Sequence, residues 1–227
     1  MAVTVVVEPN RAAPPELLER DEDGRRLGAL LWRHGPGWRA VSSAVLGGGI
    51  GERAWVMNVQ VAHGYTRTDP EAHLAALARR AGLQGPGVGL MTAAEVTRRG
   101  TAADGGVDAV ATAGIEVRGW AAAPGAGVPG PQAPGTINIV VTVPAPLTDA
   151  ALVNAVATAT EAKVQALLDA GHDCSGTPTD AVCVLARAPR PGGPAEPFAG
   201  PRSLWGARLA RAVHAAVGAA LPAPGVS

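Results

Sequence analysis

The chain has 227 residues, with 19 Lys+Arg against 19 Asp+Glu and a formal net charge of zero. Hydrophobic residues at 47% and charged residues at 17% exclude a disordered chain, and neutrality excludes the basic footprint of a general nucleic-acid binder. Two cysteines, Cys174 and Cys183, are too few for a disulfide framework or a four-cysteine zinc site, and no apolar run has the length of a membrane-spanning helix.

Residues 2–8 (AVTVVVE) read as a strand. The opening MAVTVVVEPN lacks the basic start of a signal peptide, so a cytoplasmic, reduced protein without a membrane partner is expected. Residues 27–33, 38–46 and 53–61 are apolar or β-branched runs of strand length, punctuated by Gly35-Pro36-Gly37 and Gly47-Gly48-Gly49. The short first connection predicts a hairpin. Asp69-Pro70-Glu71 opens a helix, since Asp caps, Pro is pre-set for the first helical position and Glu favours the positive end. Arg79, Arg80 and Gly82 fit its end. Residues 88–91 read as a short strand, Thr92 to Glu95 as the capping box of a short helix, and residues 107–118 as strand with a break at Ala113-Gly114.

Residues 121–135 form a Pro/Gly/Ala loop, the segment expected to move. Residues 136–143 form a buried strand. Thr148 or Asp149 caps a helix to about Ala170, residues 180–186 form another buried strand, and Ser203 caps an amphipathic helix over 204–220. Strands first and mixed elements later predict one α+β domain over residues 1–227, a mixed or antiparallel sheet packed with helices.

The one lysine, Lys163, stands among 18 arginines. Where a cation alone is needed, so Arg-rich a chain supplies arginine, so position 163 calls for an amine. On the 149–170 helix, Val153, Val156, Ala157, Thr160, Val164, Leu167 and Leu168 are read as the buried stripe. Glu161 and Lys163 then edge it without a helical partner. Partners elsewhere in the fold, a polar cleft, and snorkelling to solvent are the readings for these charges. The loop 173–180 (DCSGTPTD) concentrates hydroxyls and a carboxylate, though the same residues are ordinary turn chemistry. The Gly47 to Gly51 run is either a tight strand connection or a backbone wall for a ligand. The five histidines have no metal spacing, so no metal is expected, and no Gly-x-Ser-x-Gly elbow marks a serine hydrolase.

Ser42-Ser43-Ala44, Met91-Thr92-Ala93-Ala94, Thr112-Ala113-Gly114, Gly135-Thr136-Ile137-Asn138, Thr158-Ala159-Thr160-Glu161-Ala162-Lys163, Ser175-Gly176-Thr177-Pro178-Thr179-Asp180 and Gly200 to Gly206 occur in one order. Over roughly residues 40–218 the chain resembles the adenosylcobinamide amidohydrolases of cobinamide salvage. The resemblance implies hydrolysis of the amide joining a corrin-ring propionate to the aminopropanol arm, giving adenosylcobyric acid for cobalamin assembly. No cofactor is implied, because the cobalt corrinoid enters as substrate, and self-association is left open. Two departures stand out. The family's Thr-Gly-Thr-Asp is Thr177-Pro178-Thr179-Asp180 here, and its lysine and histidine before the last helix are Pro201 and Arg202, which argues against an essential histidine there.

Amide hydrolysis needs an activated water or hydroxyl, a donor for the developing oxyanion and an acid for the leaving amine. Glu161 is the candidate base, Lys163 the donor or acid, and Asp180 the orienter. Ser42, Ser43, Gly47, Gly48, Gly49, Asn58, Thr92, Thr136, Asn138, Thr177 and Thr179 are the candidate substrate-binding residues. A corrinoid-binding protein without hydrolysis and an amidohydrolase of another large amide are the alternatives. The absence of a DxHxxG-type cobalt-ligating pattern disfavours the first.

Overall fold

The computed structural model describes residues 13–22, 24–124 and 135–222. The strand read at 2–8 and most of the loop at 121–135 lie outside the described residues. Strands β1 (Glu16–Glu22) and β2 (Arg25–Arg33) form an antiparallel hairpin that turns at Gly24, where φ is 73°. Then come β3 (Trp38–Ser42), β4 (Gly49–Glu52), β5 (Trp55–Gln60), helix α1 (Pro70–Arg80) and β6 (Gly87–Thr92). They are followed by β7 (Gly100–Asp104), β8 (Val107–Gly114), β9 (Thr136–Pro146), α2 (Asp149–Asp169), β10 (Ala181–Arg187) and α3 (Leu204–Ala220).

Two sheets result, one ordered β1-β2-β5-β6 and the other β4-β3-β10-β9-β8-β7. Each is antiparallel apart from one parallel pair, β5 with β6 and β9 with β10. A parallel pair needs a crossover, and the crossovers are α1 and α2. Both helices lie on the outer faces. Leu74 and Leu77 of α1 pack on Trp55, Met57 and Val59, while α2 and α3 pack on Ile137, Ile139, Val141 and Val184. Between the sheets, Leu30, Trp32, Val56 and Leu90 of one meet Trp38, Ala40, Val140 and Leu185 of the other. The α+β domain is therefore a four-layer stack, helix on sheet on sheet on helices.

Several expectations need correction. The runs at 27–33 and 38–46 are not a hairpin, because β2 pairs with β1 and β5 whereas β3 pairs with β10 and β4. Gly35 and Gly37, at φ 71° and 83°, turn the chain from one sheet into the other. The central strand β2 is buried on both faces from Leu27 to Trp32, so its apolar run carries no alternation that would assign it a sheet. Thr92 ends β6 rather than capping a helix. Its hydroxyl accepts from Ala94 N, and only a three-residue 3-10 turn, Val96–Arg98, follows. The strands at 16–22 and 100–104 carry too little apolar character to be read as strands. Among the described residues no helix is long and apolar enough to cross a membrane.

Candidate active site

Helix α2 is capped by Thr148, whose hydroxyl accepts from Ala151 N at 3.2 Å. Its buried positions are Ala151, Leu152, Ala155, Thr158, Ala159, Ala162, Lys163, Ala166 and Leu167, recurring at three and four residues. The stripe read from the sequence is displaced. Val153 and Leu168 face solvent at 58% and 46% exposure, and the alanines face in. Small side chains let the helix lie close to β10 and α3, with Leu152 and Leu167 packed inward and Val153 and Leu168 left outside.

This rotation carries Lys163 inward. Its side chain is 8% exposed and its ammonium pairs with Asp180 Oδ2, on a carboxylate that is itself 13% exposed. Asp180 sits just before β10, and its Oδ1 accepts from Ile137 N at 2.9 Å and from Thr177 Oγ1 at 2.5 Å. Thr177 N lies 3.2 Å from Oδ2. A carboxylate saturated in this way fixes the ammonium and has no lone pair left for a proton from water. Asp180 therefore fixes the position of the Lys163 ammonium in this structure.

Gly176 closes over the pair. Its φ is 153°, and a Cβ there would lie 2.2 Å from Asp180 Oδ2 and 2.5 Å from Lys163 Nζ. Beside it, Gly135 O accepts from Thr179 Oγ1 at 2.9 Å and lies 2.8 Å from Thr177 Oγ1, whose single proton goes to Asp180, and Thr179 Oγ1 is 2.5 Å from Thr136 Oγ1. With the Thr179 proton committed to the carbonyl, Thr136 donates to Thr179. Among the described residues no base then stands on the Thr136 hydroxyl. Lys163, Asp180, Thr136, Thr177 and Thr179 are thus gathered at the N-terminal ends of β9 and β10.

Glu161 is not gathered there. It is exposed, two residues and about 200° around the helix from Lys163, and no hydrogen bond or ion pair reaches it among the described residues. Asn58 and Asn138 lie between the sheets, at 2% and 1% exposure. Asn138 Nδ2 donates to Asn58 Oδ1 at 2.8 Å and to Met91 O at 2.7 Å, and Asn58 Nδ2 donates to Thr112 Oγ1 at 3.0 Å. Asn138 Oδ1 is buried without a partner among the described residues. This network joins β5, β6, β8 and β9, two residues along β9 from Thr136.

The remaining candidates serve the frame in this structure. Ser42 Oγ donates to Val182 O and Ser43 Oγ accepts from Val182 N, both at 3.1 Å, which fastens β3 to β10. Gly47, Gly48 and Gly49 turn from β3 into β4. A Cβ at Gly47 would lie 1.9 Å from Gly87 O, so glycine is needed for backbone packing there. The Arg53 guanidinium holds Gly47 O at 2.9 Å. Burial pushes the Cys183 thiol up to about 12 and raises that of Cys174, so neither supplies a thiolate. Two surface hollows, about 460 Å³ near Asn154 and Phe198 and about 370 Å³ near Arg53 and Arg79, lie away from the pair.

Sequence reasoning missed Gly176 as the cover of the pair and Trp120 as its neighbour. The signal for the first was a glycine between hydroxyl residues, and for the second an aromatic in a stretch otherwise built of Gly, Ala and Pro.

The family model described as adenosylcobinamide amidohydrolase matches residues 14–224. The chain is 32% identical over 194 residues to the adenosylcobinamide amidohydrolase of Methanosarcina mazei, covering 81% of this chain and 90% of that one. It is 43% identical over 88 residues to the adenosylcobinamide amidohydrolase of Halobacterium salinarum, covering 39% and 36%. The crystal structure of the PH0078 protein from Pyrococcus horikoshii OT3 shares the fold, with a TM-score of 0.50 at 12% identity over 92% of this chain and 84% of that one.

Proposed function

The chain belongs to the adenosylcobinamide amidohydrolase family, and from that premise we propose that it hydrolyses the amide between a corrin-ring propionate and the aminopropanol arm. The products are adenosylcobyric acid and aminopropanol (or its phosphate), and the acid re-enters cobalamin assembly. The observation that carries the site assignment is the buried pairing of the only lysine with Asp180, covered by Gly176 and bordered by Thr136 and Thr179.

Water adds to the amide carbon. The Lys163 ammonium donates to the oxygen on which negative charge develops, then protonates the leaving nitrogen as the carbon–nitrogen bond breaks. The proton released by the attacking water returns the amine to ammonium, so the lysine ends as it began. Asp180 holds Nζ in place, and its lone pairs are spent on Ile137, Thr177 and Lys163. Glu161 has no part in this scheme because it faces away. No resident cofactor enters the scheme; the cobalt arrives with the substrate. A neutral protein with the hydroxyls of Thr136 and Thr179 at this end suits a substrate bearing many neutral amides.

Incubation of the purified protein with adenosylcobinamide, followed by chromatography of the corrinoids, tests the reading. Adenosylcobyric acid is expected, with turnover surviving exhaustive chelation. Tight binding without product would make the protein a corrinoid carrier, and loss of turnover restored by added zinc would replace the metal-free scheme.

A further inference from the structure

The residue beside the pair that faces solvent with a large apolar surface is Trp120. Of the five tryptophans, Trp32, Trp38 and Trp55 are buried and Trp205 is half-buried, whereas Trp120 is 44% exposed. It is nonetheless fixed. Its indole N–H donates to Asp173 Oδ1 at 3.1 Å, and Ala121 N donates to Ser175 Oγ at 2.8 Å. Gly119 N donates to Gly176 O and Ser175 N to Gly119 O, each at 3.0 Å. Backbone and ring are thus both anchored on the loop that ends in Asp180.

The anchoring sets the distance. Gly119 bridges Gly176, the residue that covers Lys163 and Asp180. One bridge and one peptide put the Trp120 Cα within about 9 Å of the Gly176 Cα, a span that one broad macrocycle covers. With its N–H spent on Asp173, what the indole offers solvent is a flat apolar π surface.

We infer that Trp120 is a substrate-positioning residue whose indole stacks on a flat conjugated ring of the substrate and so sets the scissile amide over Lys163. This rests on the reaction proposed above. The ring has two sources, the corrin macrocycle and the adenine of the adenosyl ligand, and the test separates them. Adenosylcobinamide and cobinamide lacking the adenosyl group are each assayed with wild type, Trp120→Leu and Trp120→Phe, for KM, kcat, dissociation constant and thermal midpoint.

Trp120→Leu should raise KM and the dissociation constant about ten- to hundred-fold, with kcat and midpoint little changed. Trp120→Phe keeps a π face, loses the bond to Asp173 and should stay near wild type. A loss with both substrates assigns the stack to the corrin, and a loss with the adenosylated one alone assigns it to adenine. Unchanged affinity of Trp120→Leu for both overturns the inference, as does a matching loss of affinity and midpoint in both variants, which would mark a structural tether. A wild type that binds corrinoid without hydrolysing it overturns the reaction alone, and the dissociation constants then decide the stack. A wild type that binds neither corrinoid overturns both.

Discussion

Gly176 shows how closely one position constrains the site. Any side chain there meets Asp180 and Lys163, and its φ of 153° disfavours an L-residue in any case. Gly176→Ala is expected to cost about 1–3 kcal/mol and to abolish turnover, because relief of the clash must separate the pair. Turnover and thermal midpoint measured together check this, and a fully active variant would remove the cover from the site. His34 is legible only in the structure. Burial, with the Arg187 charge second, holds its imidazole down to about 4, and Nε2 has no partner among the described residues. The unfolded chain takes up this proton near pH 6.5 and the folded one only near 4. The stability is therefore complete above pH 6.5 and lost as pH falls through 4, by about 3 kcal/mol over the full interval. Chemical denaturation at pH 7 and pH 4 should show a smaller acid loss in His34→Gln than in wild type. Equal losses would contradict this account of His34.

At the scale of elements, local chemistry was legible at most helix starts, though Asp69 accepts from Arg67 instead of capping α1 and Thr92 ends a strand instead of opening a helix. Pro70 opens α1, and Thr148 and Ser203 cap α2 and α3, because a cap is decided within four residues. Ser203→Ala, which removes the 3.1 Å bond from Gly206 N, is expected to cost about 1 kcal/mol and lower the midpoint by roughly 2–4 °C, with turnover unchanged. A silent substitution would mean that packing alone holds the helix end. What the sequence hid is non-local. The face of α2 was misread because Ala155, Ala159 and Ala162 point inward while Val153 and Leu168 do not, and ranking by hydrophobicity favours the larger residues. The sheet switch between β2 and β3 is set by strands far along the chain, β5 and β10. Of the site, Lys163 stood out by composition and Asp180 by its place before a buried strand. Their contact, across 17 positions, depends on how α2 rolls against the sheet.

In the whole molecule, the two sheets and their crossover helices bring distant segments to one end of the stack. Asn58 and Asn138 tie the sheets together two residues along β9 from Thr136, and β9, α2 and the start of β10 converge on the Lys163–Asp180 pair. The central claim is that this pair is the reactive centre rather than a buried brace. An ammonium is compact and can give up a proton. A guanidinium keeps the charge but is wider and stays protonated. Turnover of adenosylcobinamide and thermal midpoint, measured on one sample of Lys163→Arg, separate the two roles. The account predicts turnover lower by about 10²–10³ with the midpoint within a few degrees of wild type. Wild-type turnover, or a collapsed midpoint that accounts for the lost activity, would contradict it.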